Sequence, residues 1–193
     1  MLKAPEHAIG FKEWSLVCDQ LAQGQQSLIL RKGGIHEGRA GFHWQHQGFF
    51  LFPTWFHSQA EKLRQLPAGS PTQFAPEEER RQVDIKAFAQ LEKVWKLTDW
   101  QQVSALEDLH GWTEEVVRER FVYDEESCLH VALVRVWRLP EVWSFDYQKS
   151  HGGCRSWVNL PPEGLGLLER AIPALDAPAW DALQHCLQQR LQS

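Results

Sequence analysis

Residues 128–139 carry the pattern that most restricts the fold. Leu129, Val131, Leu133, Arg135 and Trp137 fall on one face of an extended chain, and His130, Ala132, Val134 and Val136 on the other. Side chains alternate across a strand, so Cys128 to Leu139 reads as the strongest β-strand in the chain. Within Gln26–Arg31, the run Ser27-Leu28-Ile29-Leu30 is a shorter, nearly continuous apolar strand, suited to a position covered on both faces. Phe42 and Trp44 alternate with His43 and Gln45, and Phe49-Phe50-Leu51-Phe52 follows, ended by Pro53. Val83, Ile85, Ala87 and Ala89 open a further strand that continues to about Leu97, and Arg155 to Leu160 is strand-like.

Helical periodicity lies between these strands. Phe11, Trp14, Val17, Cys18 and Leu21 predict an amphipathic helix over residues 11–23 that Gly24 ends. Residues 57–66 carry Ala60, Leu63 and Leu66 on one side. Thr98 is placed to cap a helix from Asp99 to Leu109 that Gly111 stops, and a second begins at Thr113 with Glu114 and Glu115 in its first turn. Residues 176–191 form a C-terminal amphipathic helix with Trp180, Leu183 and Leu187 inward. The sum is an α+β fold, a mixed, strongly twisted sheet flanked by helices and able to curl towards a barrel. A chain of 193 residues fits a single domain, 1–193, with 67–76 as a mobile loop.

The hydrophobic fraction of 43% and charged fraction of 23% are those of an ordinary globular protein. No apolar run approaches the roughly 20 residues of a membrane span, and the N-terminus lacks the apolar core of a signal peptide. The expectation is a cytoplasmic protein with no membrane partner. Cys18, Cys128, Cys154 and Cys186 form no C-x-x-C pair and read as separate thiols. A net charge of −5 argues against holding nucleic acid by bulk electrostatics but leaves room for a local basic pocket. The chain has ten tryptophans, most of them expected in the core, with two or three available to stack on a planar ligand.

The turn Arg31-Lys32-Gly33-Gly34-Ile35 is the first candidate site. Paired glycines after a strand let successive N–H groups converge on an anion, beside the arginine's planar fork and the lysine's point charge. The competing reading is a tight connection with solvated basic residues. The turn is neither a G-x-x-x-x-G-K-[ST] phosphate loop nor a dinucleotide fingerprint, and no cofactor is expected. Gly152-Gly153-Cys154-Arg155-Ser156-Trp157 is similar in kind. Arg135, inside the long strand, needs a carboxylate, a ligand anion or an outlet to solvent. Cys154 reads better as a structural thiol than as a nucleophile. His43 and His46 point to opposite faces of a strand, which disfavours shared metal ligation, and no metal site is expected. His57 suits a polar lid or general acid/base role. Asp84-Ile85-Lys86 fits the minimal pattern of a metal-dependent nuclease, but Phe49 to Phe52 carries no carboxylate where such a core needs one. The acids at 77–79 and 124–126 read as solvated loops.

Several blocks together resemble a bacterial family known as domain of unknown function 1802. They are Glu13-Trp14 with Gly24 to Ile35, Phe52-Pro53-Thr54 with His57, Arg120-Phe121, Arg135-Val136-Trp137-Arg138-Leu139-Pro140, and Gly152 to Trp157. The resemblance spans residues 11–160 and implies no activity. Gly24-x-Gln26-x-x-x-x-Arg31 is similar to the G-x-K-x-x-E-x-R signature of ASCH domains, small PUA-like barrels expected to bind RNA or nucleotides. Gln26 replaces the lysine and Ile29 the glutamate, which removes the main reason to carry over an activity.

The residues favour a binding module for an anionic, planar-ringed ligand, a nucleotide or a short stretch of nucleic acid. Arg31, Lys32, Gly33 and Gly34 would hold phosphate with help from Arg135 or Arg155, Gly152 and Gly153 would form a second turn at the site, and Trp157 or Trp55 would stack. One alternative is a metal-dependent nuclease or hydrolase using His57, Cys154, or Asp84 and Lys86. A third reading is a protein-interaction scaffold with exposed indoles.

Overall fold

The computed structural model describes residues 2–32, 43–55, 58–70, 81–123 and 126–191. In chain order the elements are β1 (Ile9–Trp14), α1 (Ser15–Ala22), β2 (Leu28–Arg31), β3 (Gly48–Thr54), β4 (Gln82–Leu97), α2 (Trp100–Ser104), α3 (Glu114–Val122), β5 (Leu129–Asp146), β6 (Trp157–Asn159), β7 (Ile172–Pro173) and α4 (Ala177–Leu191). Short 3-10 turns lie at Gln59–Lys62, Glu107–Leu109, Lys149–His151 and Pro162–Arg170. Among the described residues the strands form one sheet in the order β2-β5-β4-β3-β1-β6, with β7 on β5 beyond the end of β2. Only β1 and β3 pair in parallel; the other pairings are antiparallel, so the sheet is mixed.

The sheet is strongly curled. Four inter-strand steps separate β2 from β1, about 19 Å if the sheet were flat. Yet Arg31, the last residue of β2, donates from its guanidinium to the Lys12 carbonyl of β1. The two sides are therefore drawn together across an opening that no backbone ladder spans among the described residues. Irregularities in the β4–β5 pairing, between Ile85 and Ala87 and between Leu91 and Lys93, supply bends of the kind that curl long strands.

Alternation divides the core. Phe49 and Leu51 enter one apolar cluster with Phe11, Leu28, Leu30 and the helices, while Phe50 and Phe52 enter another with Val83, Ile85, Phe88, Trp137 and Leu139. Neighbouring residues of β3 thus face opposite layers, and both are buried. The fold is α+β, with helices against a mixed, curled sheet.

The N-terminal segment departs from the sequence expectation. Residues 11–23 are not one helix: Ile9 to Trp14 is strand and the helix begins at Ser15. A Cβ on Gly10 would lie 2.9 Å from Val158 Cγ2 and 3.2 Å from the Phe52 Cβ, so β1 sits too close to β6 and β3 for a larger residue there. The helical spacing of Phe11 and Trp14 with Val17 is a coincidence across that junction. A distant side chain starts α1, with Gln59 Oε1 accepting from the Leu16 amide at 3.0 Å and from Ser15 Oγ at 3.3 Å. Gly24, with φ at +72°, follows the helix as expected.

Other boundaries shift for local reasons. Asp99, not Thr98, caps α2, accepting the Gln101 amide at 2.8 Å, and α2 stops at Ser104, giving way to the 3-10 turn Glu107–Leu109. Over the segment expected as a helix from 57 to 66, the described residues show only the turn Gln59–Lys62 and a bridge from Leu63 to Trp112. Residues 43–46 adopt no strand, and β3 runs one residue past Pro53. β5 continues through Pro140 to Asp146, well beyond the expected end at Leu139. Among the described residues no helix is long and apolar enough to cross a membrane.

Candidate functional site

Lys12, on β1, joins Arg31 to the turn at Gly152–Gly153. Its carbonyl accepts from Arg31, at the entry to the first turn. Its Nζ donates to the Gly153 carbonyl at 3.0 Å, in the second turn, where Gly153 has φ of +79°. Lys12 N–H donates to Ser156 O at 2.8 Å and continues the β1–β6 ladder. One strand therefore ties Arg31 and the Gly152–Gly153 turn to a common edge. Gly33, Gly34 and His57 lie outside the described residues.

Beside this edge a cleft of about 430 Å³ is lined by Ile9, Gln45, His46, Gln148, Ser150, Arg155, Trp157, Val158 and Asn159. Trp157 forms its aromatic wall. The inner side of the indole is fixed by Phe11 at 4.8 Å and Phe49 at 5.3 Å between ring centroids, and His46 meets it edge-on at 5.0 Å. Its Nε1 is buried with no hydrogen-bond partner among the described residues. Arg155 is exposed and supplies the cleft's guanidinium, while Gln45, Gln148 and Asn159 offer amide donors and acceptors. Burial lowers the pKa of His46, so at neutral pH it contributes a ring rather than a charge.

Just behind the cleft, His151 is buried and accepts the Gln148 amide at its Nδ1, 3.1 Å away. Phe52, Phe145 and Tyr147 surround the ring. Burial first, and the Lys12 charge second, lower its pKa. It fixes the start of the 3-10 turn that leads into Gly152 and so shapes the wall that carries Gln148 and Ser150.

The remaining sequence candidates separate. Lys32 Nζ is occupied with carbonyls at the end of α3, donating to Phe121 O at 3.0 Å, Cys128 O at 3.3 Å and Glu126 O. Arg135 does not line the cleft; its guanidinium is 5.2 Å from the Trp180 ring centroid of α4 and 5.8 Å from that of Trp137. Asp84, Lys86 and Trp55 line a different, narrow depression of about 60 Å³ with Asp19 and Cys18. There Lys86 pairs with Asp19 at 2.7 Å, and Asp84 accepts from Ser144 Oγ at 2.6 Å. Cys154 is an exposed free thiol. Among the described residues no group of three or more His, Cys, Asp or Glu could hold a metal ion.

Glu13 and Arg120 were visible in the sequence only as parts of motif blocks, and Lys12 not at all. Glu13 is 2% exposed and lies 3.3 Å from Arg31, while its other oxygen accepts the Trp14 amide at 2.8 Å. Arg120 stacks over Trp112 at 3.9 Å and reaches Leu30 O at 3.4 Å. Desolvation lowers its pKa to about 10 despite the Glu13 charge. The signal for both was the recurrence of a charged residue beside an aromatic, Glu13-Trp14 and Arg120-Phe121, outside any predicted loop.

A family model described as a domain of unknown function, DUF1802, matches residues 10–185, and the chain belongs to that family. No curated protein matches it. Among solved structures it is similar to the crystal structure of ASCH from Zymomonas mobilis, at 11% identity and TM-score 0.48, over 86% of this chain and 96% of that one. A serine-to-alanine variant of that protein matches at 10% identity and TM-score 0.49, over 88% and 99% of the two chains. A tyrosine-to-phenylalanine variant matches at 11% and 0.48, over 86% and 99%. At the two departures from the ASCH signature this chain is structural. Gln26 bridges Leu28 O and the Gly111 amide, at 2.9 and 2.8 Å, and Ile29 is fully buried.

Proposed function

We propose that this member of the DUF1802 family binds a nucleotide, or one nucleotide unit of a short nucleic-acid segment, in the cleft beside β6. The base would lie against Trp157 and the phosphate against Arg155, with Gln45, Gln148 and Asn159 reading polar edges. The observation that carries this reading is the convergence of one fixed indole, one exposed guanidinium and three amide side chains in a single cleft of about 430 Å³. That size falls within the range of roughly 300–1,000 Å³ usual for small-molecule sites. Aromatic stacking is tolerant of base identity, and arginine offers a planar fork to a phosphate. A net charge of −5 suits a pocket that takes a compact anion better than a surface that tracks a long backbone.

The test is calorimetric titration of the full chain with mononucleotides and with short single-stranded RNA and DNA. Trp157→Ala should weaken binding by about 1–3 kcal/mol, the range for removing one stacking platform. Arg155→Gln should weaken phosphorylated ligands and leave nucleosides unaffected. Unchanged affinity in both variants, or no binding by the wild type, refutes the assignment.

A further inference from the structure

The end of β2 holds two partly buried arginines beside one buried carboxylate, with Arg31 24% exposed. Among the described residues, Glu13 is the buried carboxylate there. Its Oε1 is engaged by the Trp14 amide and its Oε2 by Arg31. Arg31 spends Nη2 on Glu13 and on Lys12 O, and its Nε is buried with no hydrogen-bond partner among the described residues. Its guanidinium lies 4.6 Å from the Phe11 ring centroid. Arg120 faces the same carboxylate without an ion pair to it. Its guanidinium rests on Trp112 at 3.9 Å and Trp14 at 5.6 Å, with one long contact, 3.4 Å, to Leu30 O.

Among the described residues two guanidinium groups therefore share one buried carboxylate. A buried charge that lacks a partner is costly, and an arginine fork left with donors to spare is suited to two oxygens of a tetrahedral anion. We infer that Glu13, Arg31 and Arg120 frame a second site, one that takes a phosphate group between the two arginines at the end of β2. Trp14 and Trp112 form its floor. The cleft beside β6 uses none of these residues, so the two sites are separable: Arg155 and Trp157 belong to one, Arg31 and Arg120 to the other.

Inorganic phosphate is the probe. Thermal unfolding of the full chain is followed against phosphate concentration at constant ionic strength, with chloride as the control and acetate as the carboxylate arm. A saturable rise in Tm with phosphate, absent with chloride, is expected; a rise of the same size with acetate would reassign the site to carboxylates and overturn the phosphate assignment. Arg120→Gln should remove the effect and Arg120→Lys should weaken the apparent Kd at least about tenfold, because an ammonium loses the fork geometry. Glu13→Gln should tighten phosphate at least about tenfold, since it removes the competing internal anion. That variant and Arg120→Lys decide the matter if Arg120→Gln does not fold. Trp157→Ala and Arg155→Gln should leave the phosphate effect intact while reducing nucleotide binding. No saturable effect in the wild type, an unchanged effect in the Arg120 variants, or its loss in Arg155→Gln would overturn the inference.

Discussion

His110 precedes Trp112 in the loop that leads into α3, and it is buried with Nδ1 unpartnered among the described residues. Its carbonyl accepts from Arg64. Burial, followed by the charges of Arg64 and Arg120, pushes the imidazole pKa down to about 4 from its ordinary 6.5. Because the folded value is the lower one, the unfolded chain takes up the proton first. Stability from this residue is complete above about pH 6.5 and is lost progressively as pH falls towards about 4. Between about pH 7 and about pH 4.5 the shift corresponds to a loss of about 2 kcal/mol. His110→Gln fills much of the same volume and does not titrate. Urea unfolding of both proteins at the two pH values gives the comparison. His46, His130 and His151 also have lowered pKa values, and they cancel in the difference because both proteins contain them. The wild type should lose about 2 kcal/mol more than the variant on acidification. Equal losses would refute the burial of a neutral imidazole beside two arginines.

Two further outcomes follow from contacts away from the cleft. Lys32→Met removes the ammonium that gathers Phe121 O, Cys128 O and Glu126 O, and should cost about 1–3 kcal/mol in denaturant unfolding while leaving nucleotide affinity unchanged. A fall in nucleotide affinity with no loss of stability would return Lys32 to the ligand. Trp180→Ala removes the indole that anchors α4 and stacks on Arg135, and should cost about 3–5 kcal/mol. A cost below about 1 kcal/mol would mean that α4 does not depend on this contact.

Period-two patterning was readable where β4 has one exposed face and in β5, while Phe49–Phe52, buried on both faces, was readable as a continuous apolar run. It failed at the N-terminus because a short strand joined directly to a short helix places Phe11, Trp14 and Val17 at helical spacing by accident. Gly153 was legible as a turn position, and the residue that joins its turn to Arg31 was not. Lys12 does so through one carbonyl and one ammonium spanning long sequence separations, and no local pattern records such a contact. Trp157 and Arg155 were readable as stacking and charged groups next to a turn, whereas the amides opposite them come from Gln45 and Gln148, far apart in the chain. Arg135 illustrates the converse. A charged residue in an apolar strand suggested a ligand, but its nearest aromatic partner is Trp180, which arrives from the C-terminal helix.

Ligand binding at Trp157 can be observed at the indole itself. Its Nε1–H lacks a protein partner among the described residues, so its proton resonance should respond to a base placed against the ring. The measurement is a nitrogen–proton correlation spectrum of the labelled full chain during a mononucleotide titration, with the Trp157 and Trp180 indole signals assigned from Trp157→Phe and Trp180→Phe. Binding in the cleft beside β6 requires a saturable shift of the Trp157 indole signal while that of Trp180, which does not line the cleft, stays in place. A stationary Trp157 signal under conditions where calorimetry shows the nucleotide bound would contradict it.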